Sequence, residues 1–482
     1  MKRIGWICPC LILLIGQLYS QSKFKEDIPI DVKRLSDRAI VLTGIPLPAG
    51  CQITALSTDR GLVVIDTGGT PSFAKEARRV IEQEFNSSDF SFAILTHDHP
   101  DHSNGTNIFP EAVIIGHEIC REIIAHRKPF SVAEDSNLNI NLKTYKQSAA
   151  RLRSQLDELG PNSERSETIH RRILSFEMAA QDLREGFTIQ PPSIGFDKKM
   201  TLNLGNMTIV IYDFGPYHSD NDIFIHIPEE GILIIGDIFS KSVLPGYAAR
   251  NRKVDVPLWL DVFKSILTDR GNIKYVVRGH NEIFPGEFIE VVNQYINDLW
   301  EKVSHAHAEG LALPKIQNIC SFDQYAFIAD VMEQNQSALR DQHEKVVEGF
   351  WRQFQEKKFV YPLLVLWDRD LNGIGTHDTK KEFIKRYKEL VTQKEDYFFD
   401  EPSIIWVARG FLAAGSVEDA IELLNLHLVP FPESADTYAT LGQAYVRNEM
   451  PNQAFVYLQK ALSLNPDHAQ AKVLLAKLKE KK

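Results

Sequence analysis

The hexapeptide His97-Asp98-His99-Pro100-Asp101-His102 places five metal-capable side chains within six residues. Imidazole and carboxylate groups are the ligands that a catalytic zinc ion takes. The apolar run 92–95 precedes the hexapeptide and predicts a buried strand, and a polar turn that ends at Gly105 follows it. A strand end that presents His-x-His and then Asp-His fits two adjacent metal ions, so the sequence predicts a two-metal hydrolytic site.

Four further ligand-type side chains lie at or just beyond the ends of predicted strands, and with the hexapeptide they make five motifs. They are Asp66, His218, Asp237 and His280. The order and setting of these motifs resemble those of the metallo-β-lactamase superfamily, whose signature is His-x-His-x-Asp-His. The resemblance covers roughly residues 35–290. It implies an α/β fold, an αββα sandwich, with hydrolytic activity.

The resemblance also implies a centre of two zinc ions per chain with seven protein ligands. The ligands of the first ion would be His97, His99 and His218, those of the second Asp101, His102 and His280, and Asp237 would bridge both. A hydroxide shared by the ions would be the nucleophile, and Asp101 would be the catalytic residue that takes up its proton. Asp66 is expected to orient a metal-binding histidine from behind.

Asp237 narrows the reaction that the resemblance implies. The true zinc β-lactamases usually have Cys or Ser at this position. An Asp at this position makes the ligand set resemble that of glyoxalase II, lactonases, alkylsulfatases and phosphodiesterases. The expected activity is hydrolysis of a small ester, lactone, thioester, lactam or sulfate ester. The alternative is a scaffold or binding protein with tetratricopeptide repeats whose metallo-β-lactamase-like domain does not turn over substrate.

The charge distribution argues against a nucleic-acid substrate. The formal net charge is −10 and no long Lys/Arg block stands out, whereas a protein that binds phosphate backbones needs a basic surface. We therefore expect a small-molecule substrate and no nucleic-acid partner.

Residues 1–20 have the layout of a signal peptide. Lys2 and Arg3 precede the apolar segment 4–18, which is short for a membrane span. This predicts export to the periplasm or the medium, and the alternative is that the segment remains as an uncleaved membrane anchor. The cysteines that remain after its removal are Cys51, Cys120 and Cys320. Because they are few, odd in number and widely spaced, we expect small buried side chains and no disulfide framework.

Alternating strand and helix patterns predict a catalytic domain over residues 21–290. Within it, the segment 127–190 carries two heptad-patterned helices, at 142–159 and 169–183, which predict an inserted helical hairpin. The hairpin either packs on its own domain or acts as a lid or a dimer arm, and the sequence leaves both open.

The pattern is wholly helical after residue 290. Residues 291–400 predict a helical linker region. Residues 401–434 and 435–468 align at a spacing of 34, which is typical of tetratricopeptide repeats, and a capping helix follows to residue 482. The repeats, like the hairpin, are candidate surfaces for a protein partner or a homodimer, or they only stabilise the C-terminus.

Overall fold

The computed structural model describes residues 29–127, 129–130, 136–159, 164–239, 244–268, 273–280, 282–331, 335–360 and 377–480. The predicted signal peptide at 1–20 lies outside the described residues. No helix in these ranges is both long enough and apolar enough to cross a membrane.

The first β-sheet has seven strands in the order of the chain. They are β1 (Asp31–Ser36), β2 (Ala39–Thr43), β3 (Ile53–Thr58), β4 (Gly61–Ile65), β5 (Phe90–Ile94), β6 (Val113–His117) and β7 (Ile194–Phe196). The strands β1 to β4 pair antiparallel, and β4 to β7 pair parallel. Strands β1 and β7 were not predicted, because both lie at sheet edges and their exposed residues lack an apolar pattern.

The second β-sheet has six strands in the order β13-β12-β11-β10-β9-β8. They are β8 (Lys199–Asn203), β9 (Thr208–Asp213), β10 (Ile223–Ile227), β11 (Ile232–Ile234), β12 (Tyr275–Val277) and β13 (Phe284–Pro285). All neighbours pair antiparallel except β11 and β12, which are parallel. This parallel pair directs the ends of β11 and β12 to the same edge of the sheet.

The two sheets face each other across an apolar layer. Ile65 and Ile94 of the first sheet share one cluster with Ile209, Ile225 and Ile234 of the second. Helices cover both outer faces, so the predicted αββα sandwich is present. On the first sheet, helix α1 (Pro71–Phe85) buries Phe73, Ala77 and Ile81; on the second, Trp259, Phe263 and Phe288 come from later helices.

Short helices complete the first half of the domain. Thr70 caps α1 by accepting a hydrogen bond from the Phe73 amide, and Asn86 ends it in the left-handed conformation. Two short helices follow, α2 (Pro100–Ser103) and α3 (Glu118–Ala125). Pro100 lies in the first turn of α2, where its missing amide hydrogen costs nothing. The helix α2 therefore begins inside the metal-binding hexapeptide.

The predicted insertion forms two long helices, α4 (Ser136–Leu159) and α5 (Glu164–Glu185). They pack on each other through Ala149, Leu152, Ile169 and Ile173, which belong to the predicted heptad stripes. Residue Gly186 follows α5 with a φ of 78°, which favours glycine.

Polar contacts from one face of α5 fasten the insertion to its own domain. The contacts are Arg171 Nη1 to Asp31 (2.7 Å), the Ala49 amide to Ser175 Oγ (2.8 Å) and the Ser72 amide to Asp182 Oδ2 (2.9 Å). Spacings of four and seven residues place all three on one side of a helix. The hairpin therefore packs on its own domain.

The remaining helices fall into two groups along the chain. The helices that pack on the second sheet or on each other are α6 (Gly246–Asn251), α7 (Val256–Thr268), α8 (Glu287–Ala308), α9 (Leu313–Ile319), α10 (Ile328–Val331) and α11 (Gln336–Gln353). The C-terminal helices are α12 (His377–Thr392), α13 (Glu401–Ala413), α14 (Val417–His427), α15 (Ala435–Arg447), α16 (Pro451–Leu464) and α17 (Ala469–Glu480). Two short strands, β14 (Lys358–Phe359) and β15 (Tyr397–Phe398), lie on either side of α12 in the chain and pair parallel. The prediction of a wholly helical pattern after residue 290 was therefore wrong at these residues.

The first helices of the predicted repeats, α13 to α15, share a core with α12, which precedes them. Phe383 and Tyr387 of α12 share a buried cluster with Phe411, Leu424 and Leu441. Consecutive helices from α13 to α17 contact each other in sequence order, as helical repeats do. The assignment of this region as tetratricopeptide repeats stays a prediction.

Candidate metal centre

Three histidines from two loops converge at the edge of the sandwich. His97 and His99 follow β5, and His218 lies in the loop between β9 and β10. One ring nitrogen from each falls within 4.8 Å of the others. His218 Nε2 lies 3.1 Å from His99 Nδ1. These are the three residues that the sequence assigns to the first ion.

A second group forms beside the first. Asp101, His102 and His280 each offer one atom within 4.8 Å of the others. His280 Nε2 lies 3.0 Å from Asp101 Oδ2, and His102 Nε2 lies 3.6 Å from the same oxygen. His280 follows β12, so the parallel pairing of β11 and β12 brings it next to Asp237.

Asp237 lies between the two groups and turns one oxygen to each. Its Oδ2 is 3.3 Å from His218 Nε2 of the first group. Its Oδ1 is 3.5 Å from His102 Nε2 and 3.6 Å from His280 Nε2 of the second group. These separations exceed those of good hydrogen bonds, so the carboxylate is placed as a ligand shared by two ions would be.

Gly279 makes this arrangement of the carboxylate sterically possible. A Cβ atom at position 279 would lie 2.3 Å from Asp237 Oδ1 and 2.7 Å from the His102 ring. Real Cβ atoms do not approach that closely, so the Asp237 carboxylate and the His102 ring would have to shift from their present places. The backbone of residue 279 therefore forms a wall of the centre that only glycine permits.

The donor atoms fit a cation. Among the described residues, no partner in hydrogen-bond geometry reaches the buried atoms His97 Nε2, His102 Nε2 or Asp237 Oδ1. Buried polar atoms nearly always have a partner, and His97, His102 and Asp237 each offer one ligand atom within 4.8 Å of the others. Imidazole nitrogens with carboxylate oxygens form the donor set that zinc prefers.

The protonation states of His97, Asp101 and Asp237 suit metal binding. Burial lowers the pKa of His97 well below that of a free histidine, which leaves a neutral imidazole. Burial alone would raise the pKa of Asp101 and Asp237, but the neighbouring histidines, His102 foremost, hold both below the usual range. Neutral imidazoles and ionised carboxylates are the forms that coordinate metals. Burial would lower the pKa of His102, but the acidic groups around it raise that pKa well above the usual value, so a metal ion would have to displace its proton.

Asp66 orients His102 from behind, as expected. It ends β4 with a φ of 62° and accepts a hydrogen bond from His102 Nδ1 at 2.8 Å. Its carboxylate is itself fixed by the Thr96 amide at 2.8 Å and the Thr96 hydroxyl at 2.9 Å. With Nδ1 engaged, His102 presents Nε2 to the centre, which is the usual arrangement behind a metal-binding histidine.

Asp98, the fifth metal-capable residue of the hexapeptide, belongs to none of these groups. It accepts hydrogen bonds from Asn221 Nδ2 at 2.7 Å and from Arg127 Nη2 at 2.9 Å. Asp98 therefore ties the hexapeptide to the loop that carries His218.

Asp222 shapes the His218 loop, although no motif or pattern in the sequence pointed to this residue. Its Oδ2 accepts hydrogen bonds from three successive amides, Tyr217 at 3.1 Å, His218 at 2.6 Å and Ser219 at 2.8 Å. Its Oδ1 accepts the Ser219 hydroxyl at 2.7 Å. One buried carboxylate thus fixes the backbone that presents His218.

Cys51 is a second residue that the sequence did not connect with the site. It was expected to be a small buried side chain, and it is fully buried. Its sulfur also lies within 4.8 Å of ligand-type atoms of Asp66 and His102. Burial raises the pKa of this thiol to about 12, so Cys51 stays a neutral thiol beside the Asp66–His102 pair.

Two cavities lie near the centre. One of about 280 Å³ includes Asp101 in its wall together with residues of the inserted hairpin. Another of about 1050 Å³ is lined by Asp220, Arg252 and Arg386, and by none of the seven predicted ligands. The smaller cavity is therefore the one that borders a predicted metal ligand.

Comparison with known proteins places this architecture in a family. Residues 47–245 match the family model of the metallo-beta-lactamase superfamily. This part of the chain is a metallo-β-lactamase superfamily domain. The domain as matched contains His97, His99, Asp101, His102 and two further predicted ligands, and His280 lies beyond it.

Two curated proteins match parts of the chain. The 2,4-dinitroanisole O-demethylase subunit alpha of Nocardioides sp. (strain JS1661) is 36% identical over 75 residues, 15% of this chain and 23% of that protein. The metallo-beta-lactamase type 2 of Bacteroides fragilis is 27% identical over 123 residues, 26% of this chain and 49% of that protein. The chain thus spans less than half the length of each.

The solved structures that are similar to this chain are more distant in sequence. The sec-alkylsulfatase Pisa1 from Pseudomonas sp. shares 14% identity with a TM-score of 0.41, over 90% of this chain and 65% of that one. A metallo-beta-lactamase from Pontibacter korlensis shares 15% identity with a TM-score of 0.35, over 56% of this chain and 99% of that one. Similarities at these identities and TM-scores give no information about the substrate.

Proposed function

We propose that this chain is an exported, zinc-dependent hydrolase of a small ester, lactone, thioester, lactam or sulfate ester. The observation that carries the proposal is the Asp237 carboxylate, which turns one oxygen to each of two three-residue groups of ligand atoms. A carboxylate so placed is suited to hold two metal ions close together, and two-metal centres of this kind serve hydrolysis.

Each residue of the centre has a defined part in the proposal. His97, His99 and His218 would hold one zinc ion, Asp101, His102 and His280 the other, and Asp237 both. When bound, two zinc ions would lower the pKa of a shared water and polarise the bond to be cleaved. Asp101 lies at the wall of the smaller cavity, so its carboxylate can also accept the proton that the attacking water loses.

The remaining parts of the proposal concern the rest of the chain. Residues 1–20 would direct export, and residues 401–482 would form tetratricopeptide repeats that bind a protein partner or support a homodimer. The shared core of α12 to α15 favours a stabilising role for these helices as well. The arrangement of all seven ligand-type residues favours turnover over the alternative of a non-catalytic scaffold.

We expect the purified chain to hold about two zinc ions and to hydrolyse at least one class in a panel of uncharged esters, lactones, thioesters, lactams and sulfate esters. Metal content is measured by mass spectrometry of the zinc-replete protein. Rates are followed by chromatography of the products, because lactam hydrolysis releases no net acid; the sulfate esters are the anionic members of the panel. His99→Ala serves as the control for contaminating hydrolases and should lose one ion and the rate. A single ion in the wild type would contradict the two-metal centre, and a chain with two ions and no turnover would support the scaffold.

A further inference from the structure

The loop between β2 and β3, residues 44–52, connects the inserted hairpin with the metal centre. On the hairpin side it contacts Ser175 of α5, whose side chain is fully buried. Ser175 Oγ accepts a hydrogen bond from the Ala49 amide at 2.8 Å and donates one to the Pro46 carbonyl at 2.9 Å. A serine hydroxyl has one donor and can also accept, so this side chain of the insertion uses both capacities to hold the β2–β3 loop.

The far end of the β2–β3 loop is bonded to the strand end that carries His280. The Gln52 amide donates to the Gly279 carbonyl at 2.7 Å, and the Gly279 amide donates to the Gly236 carbonyl at 2.6 Å. Gly279 immediately precedes His280 and lies against the Asp237 carboxylate. A displacement of the loop at residue 52 would therefore disturb the backbone that presents His280.

The β2–β3 loop is also bonded to the segment that supports α2, which carries Asp101 and His102. The Gly69 amide donates to the Ala49 carbonyl at 2.7 Å, and the Gly69 carbonyl accepts a hydrogen bond from Asn104 Nδ2 at 3.1 Å. Two residues before Gly69, the amide of residue 67 donates to the His102 carbonyl at 2.8 Å. The segment 67–69 therefore lies between the β2–β3 loop and α2 and is bonded to both.

Two small residues of the β2–β3 loop pack closely against the base of the centre. A Cβ atom at Gly50 would lie 2.9 Å from the Gly69 amide nitrogen, so the two backbones touch. Cys51 is fully buried, and its sulfur lies within 4.8 Å of ligand-type atoms of Asp66 and His102. The loop is therefore packed directly behind His102.

The first ligand group has supports of a different kind. Asp222 fixes the backbone around His218, and Asn221 Nδ2 joins the same loop to Asp98, in the middle of the His-x-His motif, at 2.7 Å. Hydrogen bonds between these two loops hold the first group together, whereas the β2–β3 loop bonds to the supports of the second group. The two groups should therefore respond differently to a change in that loop.

We propose that Ser175 is a positioning residue for the second metal ion: its hydroxyl lets the inserted hairpin hold the β2–β3 loop, and the loop holds the backbone beside His102 and His280. The insertion then supports the metal centre, beyond its contribution to the stability of the sandwich. This inference rests on the proposed two-metal function for its link to zinc, but the loop contacts themselves are testable without metal.

Zinc affinity is measured on the full chain by competition with a chromogenic chelator, in two backgrounds that each keep one ligand group. His99→Ala keeps the second group, and His280→Ala keeps the first. Adding Ser175→Ala to His99→Ala should raise the dissociation constant about tenfold, at the lower end of the range for residues that support metal ligands. Adding it to His280→Ala should change the constant less than about twofold. Similar changes in both backgrounds, or none in either, would overturn the proposal.

Two variants in the same hairpin control for a general loosening of the insertion. Ser154→Ala removes a hydroxyl that bonds to a carbonyl of its own helix, α4, and should leave both dissociation constants unchanged. Ile169→Val thins the packing between α4 and α5, so it should lower the midpoint of thermal unfolding and leave zinc affinity unchanged. If Ile169→Val weakens zinc binding as much as Ser175→Ala does, Ser175 only stabilises the hairpin and the proposal fails.

Hydrogen exchange of the metal-free chain tests the loop contacts independently. The Gln52 and Gly69 amides bond the β2–β3 loop to its neighbours, and their exchange reports local opening. We expect both amides to exchange about tenfold faster in Ser175→Ala and at the wild-type rate in Ser154→Ala, measured by mass spectrometry of short peptides. Unchanged exchange in Ser175→Ala would refute its role. A wild type that binds no zinc would refute the proposed function instead, and the exchange rates would still decide whether Ser175 holds the loop.

Discussion

Asp237→Ala is expected to lower the hydrolysis rate at least a hundredfold while leaving the fold intact. Changes to residues that only support metal ligands typically cost about 10–100-fold, and Asp237 faces both ligand groups directly, with Oδ2 3.3 Å from His218 and Oδ1 3.5 Å from His102. Alanine offers neither oxygen, so the two ions would lose their shared ligand. Zinc content should fall from about two ions toward one, measured beside kcat and the midpoint of thermal unfolding.

His226→Ala provides the comparison for a buried ligand-type side chain away from the centre. His226 lies in β10 between Ile225 and Ile227, which face the opposite sheet, so its ring faces the outer helices. Its replacement should lower stability through the cavity left behind but keep two zinc ions and the wild-type rate. Equal effects of the two substitutions on zinc and rate would remove the shared-ligand role of Asp237.

Asp222→Ala should have the largest effect on stability of any single change near the site. The substitution leaves three amides and the Ser219 hydroxyl without their acceptor. Each unsatisfied buried donor costs about 1–3 kcal/mol, and the loop can relax toward water at some of them. We expect the free energy of unfolding to fall by about 3 kcal/mol or more, and zinc bound by His97, His99 and His218 to be lost before that of the other group.

Two further variants separate the role of the carboxylate from a general loss of charge. Asp59→Ala removes a carboxylate from an exposed turn and should change the free energy of unfolding by less than about 0.5 kcal/mol. Asp222→Asn keeps one acceptor oxygen and should recover part of the stability and of the zinc affinity. The role assigned to Asp222 fails if Asp222→Ala retains both ions with wild-type affinity.

The ligand-type residues could be placed from the sequence because each stands at or just beyond the end of an apolar run. Asp66 follows β4, His97 follows β5 and His280 follows β12, and the ends of parallel strands meet at one edge of a sheet. The same reasoning predicted β2 to β4 and the turn at Asp59, where local pattern and turn chemistry agree. Local signals therefore located the ligand-type residues, whereas their assignment to two ions and the αββα sandwich were implied by the resemblance to the metallo-β-lactamase superfamily.

Contacts between distant parts of the chain carried no such signal. The Ala49 amide bonds to Ser175 across 126 positions, and the heptad pattern of α5 does not reveal which surface its polar face meets. Asp222 and Cys51 were missed for a related reason, since one acts through backbone amides and the other through burial against Asp66 and His102. Neither kind of contact leaves a periodic trace in the sequence.

The residue that homologous chains have at the position of Gly279 indicates whether they can keep this centre. Since any Cβ there would lie 2.3 Å from Asp237 Oδ1, no other amino acid is compatible with the carboxylate in its present place. A homologue that keeps all seven ligand-type residues but has a larger residue at this position must have moved the aspartate or the strand end behind it. Such a chain should be sorted with one-metal or inactive forms, even though its histidine motif is complete.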